Sequence, residues 1–452
     1  MPIKLIPLFT ILAVIAGCTS TPPDTSGCRI PSNGKNVILI IIDTLRSDHL
    51  SCFGYQRNTS PTIDSLADSG TLWLNAQSQA PWTLPSHASI WTGLSVKSHG
   101  TTHIGGVEGF DLQLDPQLPS LPATLQNSGF QTSGFINFVL LSEEFGFNHG
   151  FDWYDCDGSG ERTVTATVDA FLYWLDYQAE TENFFCVIHL FDVHAPYNPM
   201  VPYDTAFCSE GVDGVSRWDL SENGKILNIE DCQHLIDMYD GEILYVDNEL
   251  SRLFSGIRQR EIADSTLIII TSDHGEEFLE HGGVGHGHAL YQEQIHVPLI
   301  LSGPGINRGS ISNIPAALYD IMPTILSYLG VEVPENVEGL DLLSHAPAQL
   351  RQIPSGGVSP DRFFLAMMSL SDFQSCAVTE GSKKVIAYMG TDRFIQFNLD
   401  EDPEENIPLA ADSTMIEKAL FYWATPRRGN PSPIGELTDE INSTLRDLGY
   451  IR

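Results

Sequence analysis

The chain has 452 residues, 42% of them hydrophobic and 18% charged, with a formal net charge of −35 and a pI near 4.5. That balance allows a large buried core and excludes a disordered chain, while so acidic a surface excludes nucleic acid as a partner. The length fits one large domain with an appendage.

At the amino terminus, Met1-Pro-Ile-Lys4 is a short basic start and Leu5 to Ala16 is an apolar run of 12 residues. Such a run is too short to span a membrane comfortably and suits a cleaved export signal. Val14-Ile-Ala-Gly-Cys18 resembles a bacterial lipoprotein box. The expectation is a signal over residues 1–17, a lipid on Cys18 and a tether over residues 18–35 of Thr, Ser and Pro composition. The exported protein is then held at the cell envelope, periplasmic or on the cell surface. Ordinary secretory cleavage near Ala16 is the alternative.

Asn36 to Ile42 is apolar and β-branched, which predicts a buried parallel strand ending at Asp43. Thr83 stands where a helix should begin, with Pro85 at the first helical position and Gly93 as its stop. Taken alone, a hydroxyl there is an ordinary cap. Val164, Val168, Phe171, Leu172 and Leu175 mark one helical face, ahead of a strand over residues 184–191. Ile236, Tyr239, Ile243, Val246, Leu250 and Leu253 mark another, leading to a strand over residues 265–271. That strand stops just before Asp273-His274-Gly275. Alternating strands and helices predict an α/β sandwich with a large central sheet, whose sites lie beyond the carboxyl ends of its strands. Asp43, Asp273 and His274 are donors that share one divalent cation readily, with the Thr83 oxygen as a further ligand. From about residue 345 the pattern changes. Residues 363–366, 384–388 and 394–397 read as strands of a small antiparallel sheet with a helix to follow, giving a catalytic domain over 36–345 and a C-terminal subdomain over 346–452.

The chain holds 14 histidines and 8 cysteines. His281 and His296 read as structural and His99 as part of a turn, whereas His286 and His288 flank glycines in a loop and divide evenly between binding and structural roles. Asp192 either orients His194 or completes a turn, and Asp240 and Glu242 read as solvated or supporting rather than ligating. Cys208 and Cys232 flank a polar insertion and are the preferred disulfide pair; Cys186 lies in an apolar strand as a buried thiol.

Several segments together resemble the sulfatase family of the alkaline phosphatase superfamily. Ile42-Asp-Thr-Leu-Arg-Ser-Asp-His-Leu-Ser-Cys-Phe-Gly-Tyr55 is similar to the first metal-binding segment, and Thr83-Leu-Pro-Ser-His-Ala-Ser-Ile-Trp-Thr-Gly93 to the nucleophile segment. Phe191-Asp-Val-His-Ala-Pro-Tyr197 resembles the substrate-histidine segment. Ser272-Asp-His-Gly-Glu-Glu277, with His286-Gly-His-Ala-Leu-Tyr291 and Val297-Pro-Leu-Ile300, resembles the second metal segment. Asp320-Ile-Met-Pro-Thr324 and Asn398-Leu-Asp-Glu-Asp-Pro-Glu404 match later structural landmarks.

The departures bear on chemistry. Formylglycine-dependent members carry Cys or Ser where this chain has Thr83, whose secondary alcohol cannot be oxidised to an aldehyde. The family's Arg after the proline is His87, a family Lys falls at Asn137, a later Lys at Gly287, and the usual second Asp is Thr44. The resemblance implies an alkaline-phosphatase-like fold and one divalent cation, calcium as in sulfatases or manganese or zinc as in phosphotransferring relatives. Its ligands are Asp43, Thr83, Asp273 and His274. Thr83 is the expected nucleophile, His194 or His87 the expected proton donor, and His288 and Asn137 the expected substrate contacts. The implied substrate is an anionic ester of a small molecule, glycan or lipid headgroup. Phosphoester hydrolysis or phosphoryl transfer is favoured by Thr83 and the missing basic residues. Sulfate-ester hydrolysis by an unmodified threonine, or a non-catalytic lipoprotein that binds an anionic glycan or headgroup, is the alternative.

Overall fold

The computed structural model describes residues 35–101, 113–177, 179, 183–208, 229–344, 363–370 and 373–426, with 428, 429, 438, 441 and 443–445. The expected signal, Cys18 and all of the tether before Lys35 lie outside them. Nine strands form one sheet: β1 (Asn36–Ile42), β2 (Thr71–Gln77), β3 (Gln131–Ile136), β4 (Trp153–Cys156), β5 (Phe184–Leu190), β6 (Thr266–Thr271), β7 (His296–Ser302), β8 (Ser310–Ser312) and β9 (Ala316–Ala317). Their order is β8-β2-β7-β6-β1-β5-β3-β4, with β9 beside β2. The sheet is mixed, because β7 runs antiparallel to β2 and β6 while β1 is parallel to both β5 and β6.

β1 is central, and its seven apolar or amide residues are all buried. Alternate side chains feed opposite faces. Ile38, Ile40 and Ile42 pack with Phe171 and Trp174 of α2 (Val164–Tyr177) and with Ile243, Val246 and Leu250 of α3 (Ile229–Gln259). Val37, Leu39 and Ile41 face the cluster that holds Leu84, Ile90 and Trp91 of α1 (Thr83–Thr92). The result is helix, sheet, helix, in the alkaline-phosphatase-like arrangement expected.

The small antiparallel sheet has four strands where three were expected: β10 (Phe363–Leu370), β11 (Phe373–Glu380), β12 (Lys383–Tyr388) and β13 (Phe394–Asn398), followed by α4 (Ser413–Ala424). The unforeseen strand, β11, reads Phe-Gln-Ser-Cys-Ala-Val-Thr-Glu, with polar and apolar residues in short blocks, so its sequence lacks a strong apolar period. One face of this sheet, through Met367, Cys376, Val378 and Val385, joins the same core as Trp73 and Leu39. Its other face packs Ala366, Met368, Ala377 and Phe397 against Leu290 and Ile295. The appendage therefore buttresses the segment just after the histidine loop.

The expected Cys208–Cys232 disulfide is absent. The Cys208 thiol lies 3.6 Å from the Met238 sulfur, and the Cys232 thiol donates to the carbonyl of Phe278 at 2.9 Å. The two thiols are engaged by different neighbours. Cys186 is a buried thiol, as its apolar strand requires.

Candidate active site

Asp43 and Asp273 follow the carboxyl ends of β1 and β6, neighbours whose register pairs Ile41 with Thr271. The chain turns sharply after β1 at Thr44, a β-branched residue in the left-handed region with φ 56°. Its hydroxyl donates to the Val193 carbonyl at 3.0 Å, and the Tyr239 hydroxyl donates to the Thr44 carbonyl at 2.8 Å. These bonds hold the strained turn so that the Thr44 N–H lies 3.4 Å from Asp273 Oδ1.

α1 begins two residues earlier than the proline suggested: Trp82 takes the capping position, Thr83 is the first helical residue and Pro85 the third. Proline remains tolerated there because the first N–H groups of a helix have no intrahelical acceptor. Gly93 ends the helix with φ 66°, as expected.

These elements bring four side chains together. Thr83 Oγ1 lies 3.3 Å from His274 Nε2 and 3.5 Å from Asp43 Oδ2. His274 Nε2 lies 3.4 Å from Asp273 Oδ2 and 3.6 Å from Asp43 Oδ1. Ligating atoms of Asp43, Asp273 and His274 all fall within 4.8 Å of one another. His274 Nδ1 donates to the Gly275 carbonyl at 2.9 Å, which leaves the Nε2 lone pair for the cluster. Asp43 Oδ1 and Asp273 Oδ2 are buried without a hydrogen-bond partner. Two buried carboxylates with orphaned oxygens beside an oriented imidazole fit a divalent cation, whose charge offsets their desolvation.

The electrostatics have the same cause. Burial pushes the Asp43 carboxyl up to about 7, against the opposing pull of His274. Asp273 is raised by burial and then by the Asp43 charge. Burial lowers His274, but Asp273 and Asp43 outweigh it and the imidazole is raised.

His189 was not foreseen. It is fully buried in β5, and its Nε2 lies 3.3 Å from Asp43 Oδ2. A lone imidazole in the otherwise apolar run Phe-Phe-Cys-Val-Ile-His-Leu was the available signal. His87 is also fully buried; its Nδ1 donates to the Thr83 carbonyl at 2.9 Å and lies 3.6 Å from Asp273 Oδ2. Burial pushes His87 down to about 3 and His189 down to about 4, despite Asp273. Both rings are neutral near pH 7, so His87 does not replace the cation of the family's arginine.

The loops place the remaining candidates around this core. His194 is 3% exposed, donates from Nδ1 to the Ala195 carbonyl at 2.6 Å and stacks on Phe191. Its ring centroid lies 5.0 Å from that of His286, which lies 4.4 Å from that of His274. His286 Nδ1 is 3.1 Å from Glu276 Oε1. Two expected substrate residues are engaged elsewhere. His288 Nε2 pairs with Glu277 Oε2 at 2.8 Å and with Gln294 at 3.1 Å. Asn137 is buried, its amide donating to the Arg162 carbonyl and the Thr167 hydroxyl. Of the loop histidines, His286 rather than His288 borders the cluster.

Asp192 neither orients His194 nor merely closes a turn: its Oδ1 accepts the N–H of Val164, the first residue of α2. Asp240 is buried rather than solvated, bonded to His49, Tyr55 and Arg57. His99 shapes its turn as expected, accepting the Thr101 N–H.

With this geometry established, known proteins give the comparison. The sulfatase family model matches residues 35–331. Arylsulfatase K of Mus musculus is 24% identical over 92% of this chain and 83% of its own length. Among solved structures, the phosphonate monoester hydrolase of Agrobacterium radiobacter superposes with a TM-score of 0.68 at 19% identity, covering 86% of this chain and 94% of that one. A protein solved with its substrate D-glucosamine-2-N,6-O-disulfate gives a TM-score of 0.69 at 18% identity, over 92% and 98% of the two chains. A family match over most of the chain, on a sheet whose strand ends gather two acids and an imidazole, makes this protein a member of the sulfatase family, the metal-dependent ester hydrolases of the alkaline phosphatase superfamily.

Proposed function

We propose that Thr83 is the nucleophile of a metal-dependent esterase acting on phosphate esters in preference to sulfate esters. The observation that carries this reading is the Thr83 hydroxyl, 3.3 Å from His274 Nε2 and 3.5 Å from Asp43 Oδ2, beside two orphaned carboxylate oxygens. Asp43, Asp273, His274 and the Thr83 oxygen would hold the ion. When bound, a cation of this kind acidifies the hydroxyl and offsets charge on the non-bridging oxygens. Calcium is the family's ion, and the imidazole ligand also suits manganese or zinc.

In the reaction, Thr83 Oγ1 passes its proton to Asp43 Oδ2, its acceptor at 3.5 Å, and forms a bond to phosphorus while the bond to the leaving alcohol oxygen breaks in line. His194 suits the donor to that oxygen. Its Nδ1 proton is committed to the Ala195 carbonyl, so Nε2 is the atom that gains and loses a proton. His87, held neutral by burial, instead fixes the first helical turn through the Thr83 carbonyl. Water then attacks phosphorus and restores the Thr83 hydroxyl, because threonine lacks the aldehyde exit available to a formylglycine hydrate. A glycan or lipid headgroup at the cell envelope, reached by a lipid anchor on Cys18, fits the lipoprotein-like leader. No described helix is long and apolar enough to cross a membrane.

Sulfate-ester hydrolysis by the same threonine is the second reading, supported by the likeness to the protein bound to a disulfated glucosamine. Quenching the metal-loaded protein during turnover and measuring intact mass at high resolution separates a phospho from a sulfo adduct on Thr83. An adduct on another residue, or none with either ester class while product accumulates, refutes the proposed nucleophile.

A further inference from the structure

Beside His194 opens a cleft of about 1410 Å³. Its charged lining is one-sided: Glu143, Glu144, Asp157, Glu161, Asp192 and Glu242 all contribute. Among the described lining residues the permanent cation is Arg162, and it is already bound to Asp155 at 3.0 Å. An anionic ester held at Thr83 would place its leaving oxygen at His194, and the alcohol beyond that oxygen would enter this cleft. The route is short, since the rings of His274, His286 and His194 follow one another at 4.4 and 5.0 Å.

Two of the carboxylates are built into the wall rather than scattered on its rim. Glu242 is 5% exposed, and its Oε1 accepts the Asn198 N–H at 2.8 Å. Asp192 accepts the Val164 N–H through Oδ1, while its Oδ2 is buried with no hydrogen-bond partner. Burial, then the Asp192 charge, raises Glu242 to about 8; burial, then the Glu249 charge, raises Asp192 to about 6. Near pH 7 Glu242 therefore keeps its proton while Asp192, with its orphaned oxygen, is ionised; together with the rim carboxylates it makes the wall complementary to a cation and hostile to a second anion.

We infer that this cleft seats the alcohol half of the ester and selects alcohols that carry a positive charge, as a protonated amine or quaternary ammonium. This rests on the esterase reading given above. The substrate would then be a zwitterion: its phosphate or sulfate lies at the Thr83 cluster and its cation against Asp192 and the rim carboxylates.

The test uses the full, metal-loaded chain and aryl phosphates and sulfates matched in leaving-group acidity. The ring carries a trimethylammonium group, no charge, or a carboxylate. The expected order of kcat/KM is cationic, neutral, anionic, with a spread of about 10-fold or more at low salt that narrows at high salt. At pH 7 Asp192→Asn should narrow the spread. Glu143→Gln combined with Glu161→Gln, at the exposed rim, should also narrow it and guards against a buried variant that fails to fold. An equal or reversed order, or a spread unmoved by both variants, overturns the inference while leaving the esterase reading intact. Should no ester turn over, the esterase reading fails, and calorimetry with phenyltrimethylammonium still reads the cleft. Binding weakened about 10-fold by Asp192→Asn at pH 7 supports the cationic subsite. Benzoate binding as tightly, or calcium displacing the ammonium probe from the metal-loaded chain, overturns it.

Discussion

His189 Nε2 lies 3.3 Å from Asp43 Oδ2 across adjacent parallel strands, with both side chains fully buried. The register pairs Ile41 with His189, so the imidazole reaches forward to the acid at the strand's end. A donor on Oδ2 leaves Oδ1, which has no hydrogen-bond partner, facing the cluster. His189→Phe should therefore weaken divalent-cation affinity by about 10- to 100-fold, as loss of a partner behind a metal ligand does. His189→Gln, which keeps a donor, should recover part of it. Calorimetric titration of the cation decides; equal affinity in all three proteins would show that the contact does not orient Asp43.

Thr83 is the first residue of α1 rather than its cap, since Trp82 holds that position. Thr83→Ala should lower kcat/KM by about 10³-fold or more, yet cost only about 1 kcal/mol of stability because no cap is lost. Thr83→Ser keeps the hydroxyl and should stay within about 10-fold of wild type. Rates and thermal melts, measured together, check both halves. An active Thr83→Ala protein would remove the threonine from the chemistry.

Proton linkage at Asp43 has a definite sign. Its carboxyl titrates near 7 in the folded, cation-free protein against 3.8 for the free group. Between those values the folded state holds more protons than the unfolded chain, so this residue lowers metal-free stability as pH rises. A cation requires the carboxylate and must displace that proton. Apparent cation affinity should rise from about pH 5 to 7, with about one proton or more released near pH 6, measured by calorimetry in buffers of different ionisation enthalpy. His87 and His189 act oppositely. Lowered to about 3 and 4, they contribute stability above pH 6.5 that is lost as pH falls through those values. No proton release on cation binding would contradict the environment assigned to Asp43.

Lys384 of β12 and Glu405 form a fully buried ion pair at 2.8 Å. Glu405 also accepts the Gln292 N–H at 2.6 Å, and its carbonyl lies 3.1 Å from His281 Nε2. Removing the cation strands a buried carboxylate. Lys384→Met should cost about 3 to 5 kcal/mol in denaturant unfolding, and the double change with Glu405→Leu should recover much of that loss. A loss below about 1 kcal/mol for the single variant would show that water reaches the pair.

Much of the fold was legible because burial leaves a simple trace. A strand covered on both faces reads as an unbroken apolar run, so β1, β5 and β6 stand out, and α2 and α3 follow from their apolar stripes. β11 was not legible, since its short mixture of polar and apolar residues gains burial from neighbouring strands and from α4. Asp43, Thr83, Asp273 and His274 were singled out because each sits at an element's end and matches a family segment, and the fold brings their side chains together. His189 was hidden by lying inside a strand, where one polar residue among apolar ones gives no periodic signal.

Chain order alone determined which residues end the strands and which helix begins with a hydroxyl, because periodicity and turn chemistry act over a few residues. Tertiary structure decided what those residues meet. It turned His288 onto Glu277 and set His286 beside His274, kept the Cys208 and Cys232 thiols apart, and buried His87 and His189 as neutral rings. Such outcomes depend on contacts between segments far apart in sequence, and on the loss of water around charges that those contacts enforce.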